Sequence, residues 1–166
     1  YIGSSAFKNC SSLIDIEIPS GVTAIEYSTF YDCSSLTNVT IGENSQLTSI
    51  GTNAFNGCTL LSAITLPAEI KLIADGTFLN CTALTNVEIP EGVTSIGVNA
   101  FSGCINFSKI EIPKNVTSIG ASAFYNCKNV TDVLIPLSVT TIGNNAFALP
   151  FFITLHSFNT IILKVL

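Results

Sequence analysis

One spacing constrains this chain more than any other feature: phenylalanine returns every 23 residues, apart from a single step of 25. The series consists of Phe7, Phe30, Phe55, Phe78, Phe101, Phe124 and Phe147. Cysteine follows each of the first six by three residues, at Cys10, Cys33, Cys58, Cys81, Cys104 and Cys127, so every cysteine occupies the same repeated position. A fixed period of this length indicates a small structural unit that is stacked many times.

The repeated unit reads I-G-x-x-A-F-x-x-C-x-x-L-x-x-I-x-I-P-x-x-V-T-x, as in residues 96–118. Its apolar positions are too few to enclose a core alone, but stacked units would share one continuous core. The 25-residue step contains a two-residue insertion near 43–46, where Gly42 stands in the proline position, and this predicts a longer surface loop. The chain is therefore predicted to be a repeat solenoid.

The segment L-x-x-I-x-I-P alternates apolar and polar residues, which predicts a short strand that ends at the proline. Six such strands are predicted, at residues 13–18, 36–41, 61–66, 84–89, 107–112 and 130–135. Because each repeat returns the chain in the same sense, these strands should form a parallel sheet on one face. We expect a short helical or 3₁₀ turn on the other face, as at residues 122–126, and a second short extended piece at V-T-x-I.

Composition excludes some classes of partner. The chain has six lysines, no arginine and eleven acidic residues, so it lacks a basic patch that could bind nucleic acid. No apolar stretch reaches the roughly 18 residues of a membrane span, so we expect no membrane insertion by this segment. The chain begins within a repeat at Tyr1, and we expect a piece of a longer protein whose signal or anchor lies elsewhere.

Catalytic and metal-binding chemistry is poorly supported. Equivalent cysteines of stacked repeats point the same way, so we expect a ladder of buried free thiols rather than disulfides. No C-x2-C spacing suggests a metal site, and we expect no cofactor. The only histidine, His156, has no acidic neighbour in sequence, and Glu88 and Glu111 would lie on an open, wet face that is unsuited to acid–base catalysis. We therefore predict that the chain is not an enzyme.

These repeats resemble the BspA-like subgroup of leucine-rich repeats, because A-F-x-x-C-x-x-L and I-P-x-x-V recur in fixed phase from residue 1 to about 147. Glu26 and Ala74 depart from the glycine position, and Phe107 and Val130 replace the leucine. The resemblance implies a cell-surface or secreted, adhesin-type protein that binds macromolecules, and it implies no common catalytic residues. An intracellular scaffold that docks a protein partner is the alternative, which these residues do not separate from the first.

Strand alternation also predicts the binding face. The two isoleucine positions of each strand should face the core, so the residues that flank the first of them should face solvent. The candidate binding residues are Asp15, Glu17, Asn38, Thr40, Thr65, Asn86, Glu88, Lys109, Glu111 and Asp132, with Ala63 and Leu134 completing the two columns. Because no deep pocket is evident, we expect an extended contact with a protein or other macromolecule.

The last segment breaks the repeat. We divide the chain into six full repeats and the start of a seventh, at 1–147, and an atypical tail at 148–166, where Pro150 takes the cysteine position. A terminal cap over the last repeat is the leading interpretation of the tail, because solenoid ends expose core and strand edge. A membrane-proximal or partner-docking segment is the alternative.

Overall fold

The computed structural model describes residues 1–148 and 154–156. Its strands are β1 (Asp15–Ile18), β2 (Ala24–Ile25), β3 (Asn38–Ile41), β4 (Ser49–Ile50), β5 (Leu72–Ile73), β6 (Ser95–Ile96), β7 (Ile110–Glu111), β8 (Ser118–Ile119), β9 (Asp132–Leu134), β10 (Thr141–Ile142) and β11 (Thr154–His156). Every paired strand is parallel to its partner, and pairing joins equivalent positions of successive repeats. The predicted parallel solenoid is confirmed.

Two sheets run along the coil. The first sheet comes from L-x-x-I-x-I and contains the pair β1–β3, an isolated bridge between Ala63 and Asn86, and the order β7–β9–β11. The second sheet comes from V-T-x-I and contains the pair β2–β4 and the order β5–β6–β8–β10. The second extended piece is therefore present. The first sheet is shorter and more interrupted than predicted, because residues 61–66 and 84–89 meet only at that bridge.

The predicted helical or 3₁₀ turns on the other face are wrong: within residues 1–148 these segments form turns without helix. In residues 122–126, alternate amides bond in different directions. The Phe124 amide donates to the Ala146 carbonyl of the next repeat at 2.8 Å, whereas the Tyr125 amide donates back to the Ser122 carbonyl at 3.1 Å. Left-handed backbone at Ser122 (φ 54°) and Asn126 (φ 61°) brackets the segment, which a helix does not tolerate.

Left-handed residues recur at two positions of every complete repeat. One column consists of Ser5, Ser28, Asn53, Gly76, Asn99, Ser122 and Asn145, and the other of Asn9, Asp32, Gly57, Asn80, Gly103 and Asn126. Asparagine, aspartate and glycine adopt this conformation at the lowest cost, which accounts for their abundance here. The two columns enclose the A-F pair and turn each phenylalanine inward.

The phenylalanines form a stacked column through the core. Neighbouring rings from Phe7 to Phe147 lie 5.3 to 5.7 Å apart between centroids and are nearly parallel. The rings from Phe30 to Phe124 are fully buried, and Phe7 is half-buried because it has a ring on one side only. The core is thus continuous along the coil, as the repeat pattern predicts.

Cysteines line a second core column beside the rings. Five of them are buried, and all six are free thiols. Each buried thiol donates to the phenylalanine carbonyl of the preceding repeat, from 3.0 Å for Cys33 on Phe7 to 3.3 Å for Cys127 on Phe101. Cys10 departs from the expected buried ladder, because it is exposed in the first repeat.

Candidate binding face

The sheet face, defined as the outward residues of the first sheet, consists of two columns. Strand register places Asp15 beside Asn38 and Glu17 beside Thr40, and it places Glu111 beside Leu134. The exposed members of the predicted set are Asp15, Glu17, Asn38, Thr40, Thr65, Asn86, Glu88, Lys109 and Glu111. Asp132 belongs to β9, and its backbone pairs in register with Thr154 of β11. Ala63 likewise lies beside Asn86, so the columns are aligned within these pairs of repeats and interrupted between them.

Buried side chains hold these rows in place. Between the outward residues lie Val39, Val87, Ile110 and Val133, each at most 5% exposed. Because side chains alternate across a strand, burial of these residues directs their neighbours to solvent. The sheet face is consequently carried by buried core residues and does not depend on a loop.

Few contacts tie the face residues to one another. Lys109, which immediately precedes β7, forms an ion pair with Glu111 of β7, and the two side chains are 69% and 71% exposed. The Asn38 amide donates to the Thr40 hydroxyl at 3.1 Å. Exposed ion pairs contribute only about 0.2–1 kcal/mol, so these side chains are available to a partner.

A groove and a smaller depression lie on the later repeats of the sheet face. An open groove of about 540 Å³ is lined by Ser108, Lys109, Ile110, Glu111, Ile112, Thr131 and Leu134. A smaller one of about 260 Å³ lies alongside and is lined by residues that include Asn86, Glu88, Glu91 and Glu111. Sequence reasoning did not find the groove, although the apolar Leu134, 53% exposed in an otherwise polar column, was a visible signal.

The described residues offer little reactive chemistry. Burial raises the pKa of the Cys33 thiol to about 11 and that of Cys127 to about 12. The pKa values of Cys58, Cys81 and Cys104 are also raised by burial, so these thiols are protonated at neutral pH and are poor nucleophiles. Across residues 1–148 and 154–156, no group of three His, Cys, Asp or Glu side chains could hold a metal ion.

In the described part of the chain, no helix has the length and the apolar character needed to cross a membrane. What the described part of the sheet face offers is therefore hydrogen-bonding groups, a few charges and an apolar groove, all carried by buried core residues. Such a surface suits recognition of a macromolecule.

Solved structures with the same fold come from several bacteria. A leucine-rich repeat protein from Bacteroides ovatus is 29% identical with a TM-score of 0.69, over 81% of this chain and 43% of that one. The T. pallidum leucine-rich repeat protein is 28% identical with a TM-score of 0.61, over 81% of this chain and 58% of that one. This chain thus spans about half the length of these relatives. No curated protein matches it.

The sequence model described as "BspA type leucine rich repeat region" matches in six copies, over residues 1–131 and 48–162. These ranges together include nearly all of the chain and every strand that forms the sheet face. Leucine-rich-repeat proteins of this kind are typically non-catalytic and protein-binding. The chain belongs to the BspA-type leucine-rich-repeat family.

Proposed function

We propose that this chain is a non-catalytic binding module of a secreted or cell-surface, adhesin-type protein, and that it binds a protein or other macromolecule through the sheet face. The observation that carries the proposal is the pair of exposed columns, which lie over buried valine and isoleucine and are in register within each pair of joined repeats. Such rows form an extended platform, which suits a contact spread over several repeats. The surface location rests on the family resemblance.

The apolar groove and the charged residues of the sheet face would contribute differently to the binding energy. Leu134 and the groove beside it supply the apolar surface that could receive a side chain of the partner. Glu88 and Glu111 supply charge at the rim of the smaller depression. Because binding energy concentrates in a few desolvated residues, changes near the groove should weaken binding more than changes at Asp15 or Glu17.

A combined variant tests the face. Asn86→Ala, Glu88→Lys, Lys109→Glu and Glu111→Lys alter four exposed residues and change the net charge by +2. We expect at least a tenfold loss of affinity for immobilised matrix proteins, measured by surface plasmon resonance after circular dichroism confirms folding. Glu69→Lys is the matched control, because it makes the same change in net charge at an exposed residue outside the two columns.

Unchanged binding by the combined variant would exclude the sheet face as the binding site and favour the 43–46 loop or the turn face.

The proposed cell-surface location needs a separate experiment, which is antibody staining of intact cells that express the full-length protein. Staining only after lysis would contradict the surface location and favour the intracellular scaffold.

A further inference from the structure

The two sheets are interrupted at the same place. We name each repeat after its phenylalanine, so that Phe30 marks the second repeat and Phe55 the third. In the first sheet, β3 of the second repeat pairs with β1 but not with residues 61–66 of the third. In the second sheet, β4 pairs with β2 but not with β5. We call this interface between the second and third repeats the seam.

Backbone hydrogen bonds of the second sheet are also missing at the seam. Elsewhere, the amide of the glycine position donates to the preceding repeat, as from Gly97 to Ile73 and from Gly120 to Ile96, each at 2.8 Å. The equivalent bond from Ala74 to Ile50 is not formed within residues 1–148.

The backbone amide at the threonine position, three residues before the glycine position, also lacks its bond at the seam. The Thr94 amide donates to the Lys71 carbonyl at 3.0 Å, and the Thr117 amide donates to the Thr94 carbonyl at 2.9 Å. Across the seam, the described structure has no such bond from the Lys71 amide to the Thr48 carbonyl.

The first sheet shows the same gap. The Thr37 amide donates to the Ile14 carbonyl at 2.8 Å, and the Thr85 amide donates to the Ser62 carbonyl at 3.2 Å. In the described part of the chain, no bond links the Ser62 amide to the Thr37 carbonyl across the seam. Residues 84–89 and 107–112 are also unpaired with each other in the first sheet, but there the second sheet stays intact through the pairing of β6 with β8. Among the described repeats, the seam is the interface at which both sheets are interrupted.

Three sequence departures meet at the seam. The two-residue insertion near 43–46 shifts the chain between β3 and β4 and leaves a depression of about 290 Å³ against the turn at Pro67 to Glu69. Lys71 stands in the threonine position, so it cannot make the hydroxyl bond that Thr94 makes to the Lys71 carbonyl at 3.3 Å. Ala74 stands in the glycine position.

The side chain at Ala74 matters because repeats approach closely there. A Cβ at Gly97 would lie 2.8 Å from the Ala74 carbonyl carbon, and one at Gly120 would lie 2.5 Å from the Gly97 carbonyl carbon. Real Cβ atoms do not approach backbone so closely, so a side chain is unfavourable at these two positions. Glu26, which occupies the glycine position at the first interface, nevertheless keeps its amide bond to the Ile2 carbonyl at 3.1 Å, so a side chain alone does not open the ladder. Ala74 therefore fits the open ladder at the seam only in combination with the insertion and Lys71, which the first interface lacks.

The turn side of the seam stays closed. The Phe30 amide donates to the Ala54 carbonyl at 2.8 Å, and the Cys58 thiol donates to the Phe30 carbonyl at 3.1 Å. The rings of Phe30 and Phe55 stack at 5.3 Å. One side of the interface is thus fully bonded while the two sheet sides are not, which is the arrangement of a hinge.

We propose that the seam is a hinge that divides the solenoid into two units, residues 1–50 and 51–148. Bending at the seam changes the angle between the sheet-face rows of the first two repeats, which include Asp15 and Asn38, and the rows of the later repeats. If the proposed function holds, the hinge lets the sheet face adjust to the curvature of its partner. The hinge itself does not depend on that function.

Amide hydrogen exchange of the full chain without ligand, followed by NMR, tests the hinge. Amides that lack a ladder bond exchange through small local openings. We expect the Lys71 and Ala74 amides to have protection factors at least tenfold lower than those of Thr94 and Gly97. Equal protection at the two pairs of positions would overturn the proposal, and it would leave the sheet-face function untouched, because no partner is present.

A variant with the seam restored provides the second arm. Deletion of Asn44 and Ser45, combined with Lys71→Thr and Ala74→Gly, returns the repeat to 23 residues and to the common sequence. We expect the protection of residues 71 and 74 to rise at least tenfold. Gly97→Ala is the matched control, since its Cβ should open an intact interface and lower protection at residue 97.

A folded restored variant whose residues 71–74 stay poorly protected would overturn the assignment of the hinge to these three departures. If the deletion prevents folding, the comparison within the unmodified chain decides the proposal alone.

Discussion

At the scale of single residues, the core consists of identical side chains in contact with their own copies. Phe78 lies between Phe55 and Phe101, with ring centroids at 5.7 and 5.3 Å, and it is fully buried. Cys81 is buried beside it and bonds to the Phe55 carbonyl. A change at one such position therefore affects two interfaces at once.

Replacing the central ring should be costly. We expect Phe78→Ala to lower the free energy of unfolding by about 3–5 kcal/mol, because it leaves a cavity between two repeats. Urea denaturation followed by circular dichroism measures the change. Phe7→Ala is the control and should cost less, because Phe7 is half-buried and stacks on one ring only. Equal costs for both variants would show that the column is not the main source of stability.

The buried thiols should make stability depend on pH in the alkaline range. Burial raises the pKa of Cys127 from 9.0 to about 12, so the unfolded chain loses this proton at lower pH than the folded chain does. The contribution of the protonated Cys127 thiol to the free energy of unfolding is therefore fully present below pH 9.0 and is lost as the pH rises from 9.0 towards about 12. We expect the urea midpoint to fall between pH 8 and pH 10.5, and to fall less in Cys127→Ala. Parallel falls in both proteins would contradict this account.

At the scale of elements, each repeat depends on two reversals of backbone handedness more than on its strands, most of which are only two residues long. The left-handed positions turn the A-F segment so that alternate amides bond to the next repeat. Sequence inspection missed this, because the spacing from glycine to cysteine resembles a helical turn and the competing inter-repeat bonds form only on stacking.

The importance of the left-handed positions can be tested at Asn99, whose φ is 55°. We expect Asn99→Ala to destabilise the chain by about 1–2 kcal/mol, since a Cβ without a local hydrogen-bonding group is disfavoured in left-handed backbone. Asn99→Gly should be close to neutral, and thermal unfolding by differential scanning calorimetry measures both. Val98→Ala, at an adjacent exposed residue with ordinary φ, controls for loss of side-chain contacts. A stable Asn99→Ala variant would show that the reversal is easily replaced.

At the scale of the whole molecule, stability accumulates from interfaces between neighbours, so we expect it to be lowest at the ends and at the seam. The predicted tail at 148–166 falls largely outside the described residues, apart from Ala148 and β11, which pairs with β9. The division into 1–147 and a capping tail accordingly stays a prediction.

Removing residues 149–166 should expose the strand edge of β9, because β11 is its described neighbour on that side. We expect the truncated chain to dimerise or aggregate, as bare strand edges promote association. Size-exclusion chromatography with light scattering, over a range of concentrations, measures this. A truncated chain that stays monomeric with unchanged thermal stability would refute the capping interpretation.

Sequence alone determined the solenoid, its parallel strands, the stacked phenylalanines, the buried cysteines after the first, and the rows of the sheet face. All of these follow from local periodicity, because a repeat of constant length places equivalent residues side by side and alternation decides which of them face the core. Only the tertiary structure showed that the A-F segments are turns rather than helix, that a groove opens beside Leu134, and that both sheets are interrupted at the seam. These features depend on register and hydrogen bonding between repeats. At the seam, Lys71, Ala74 and the insertion coincide with the missing pairings at an interface that no single repeat contains.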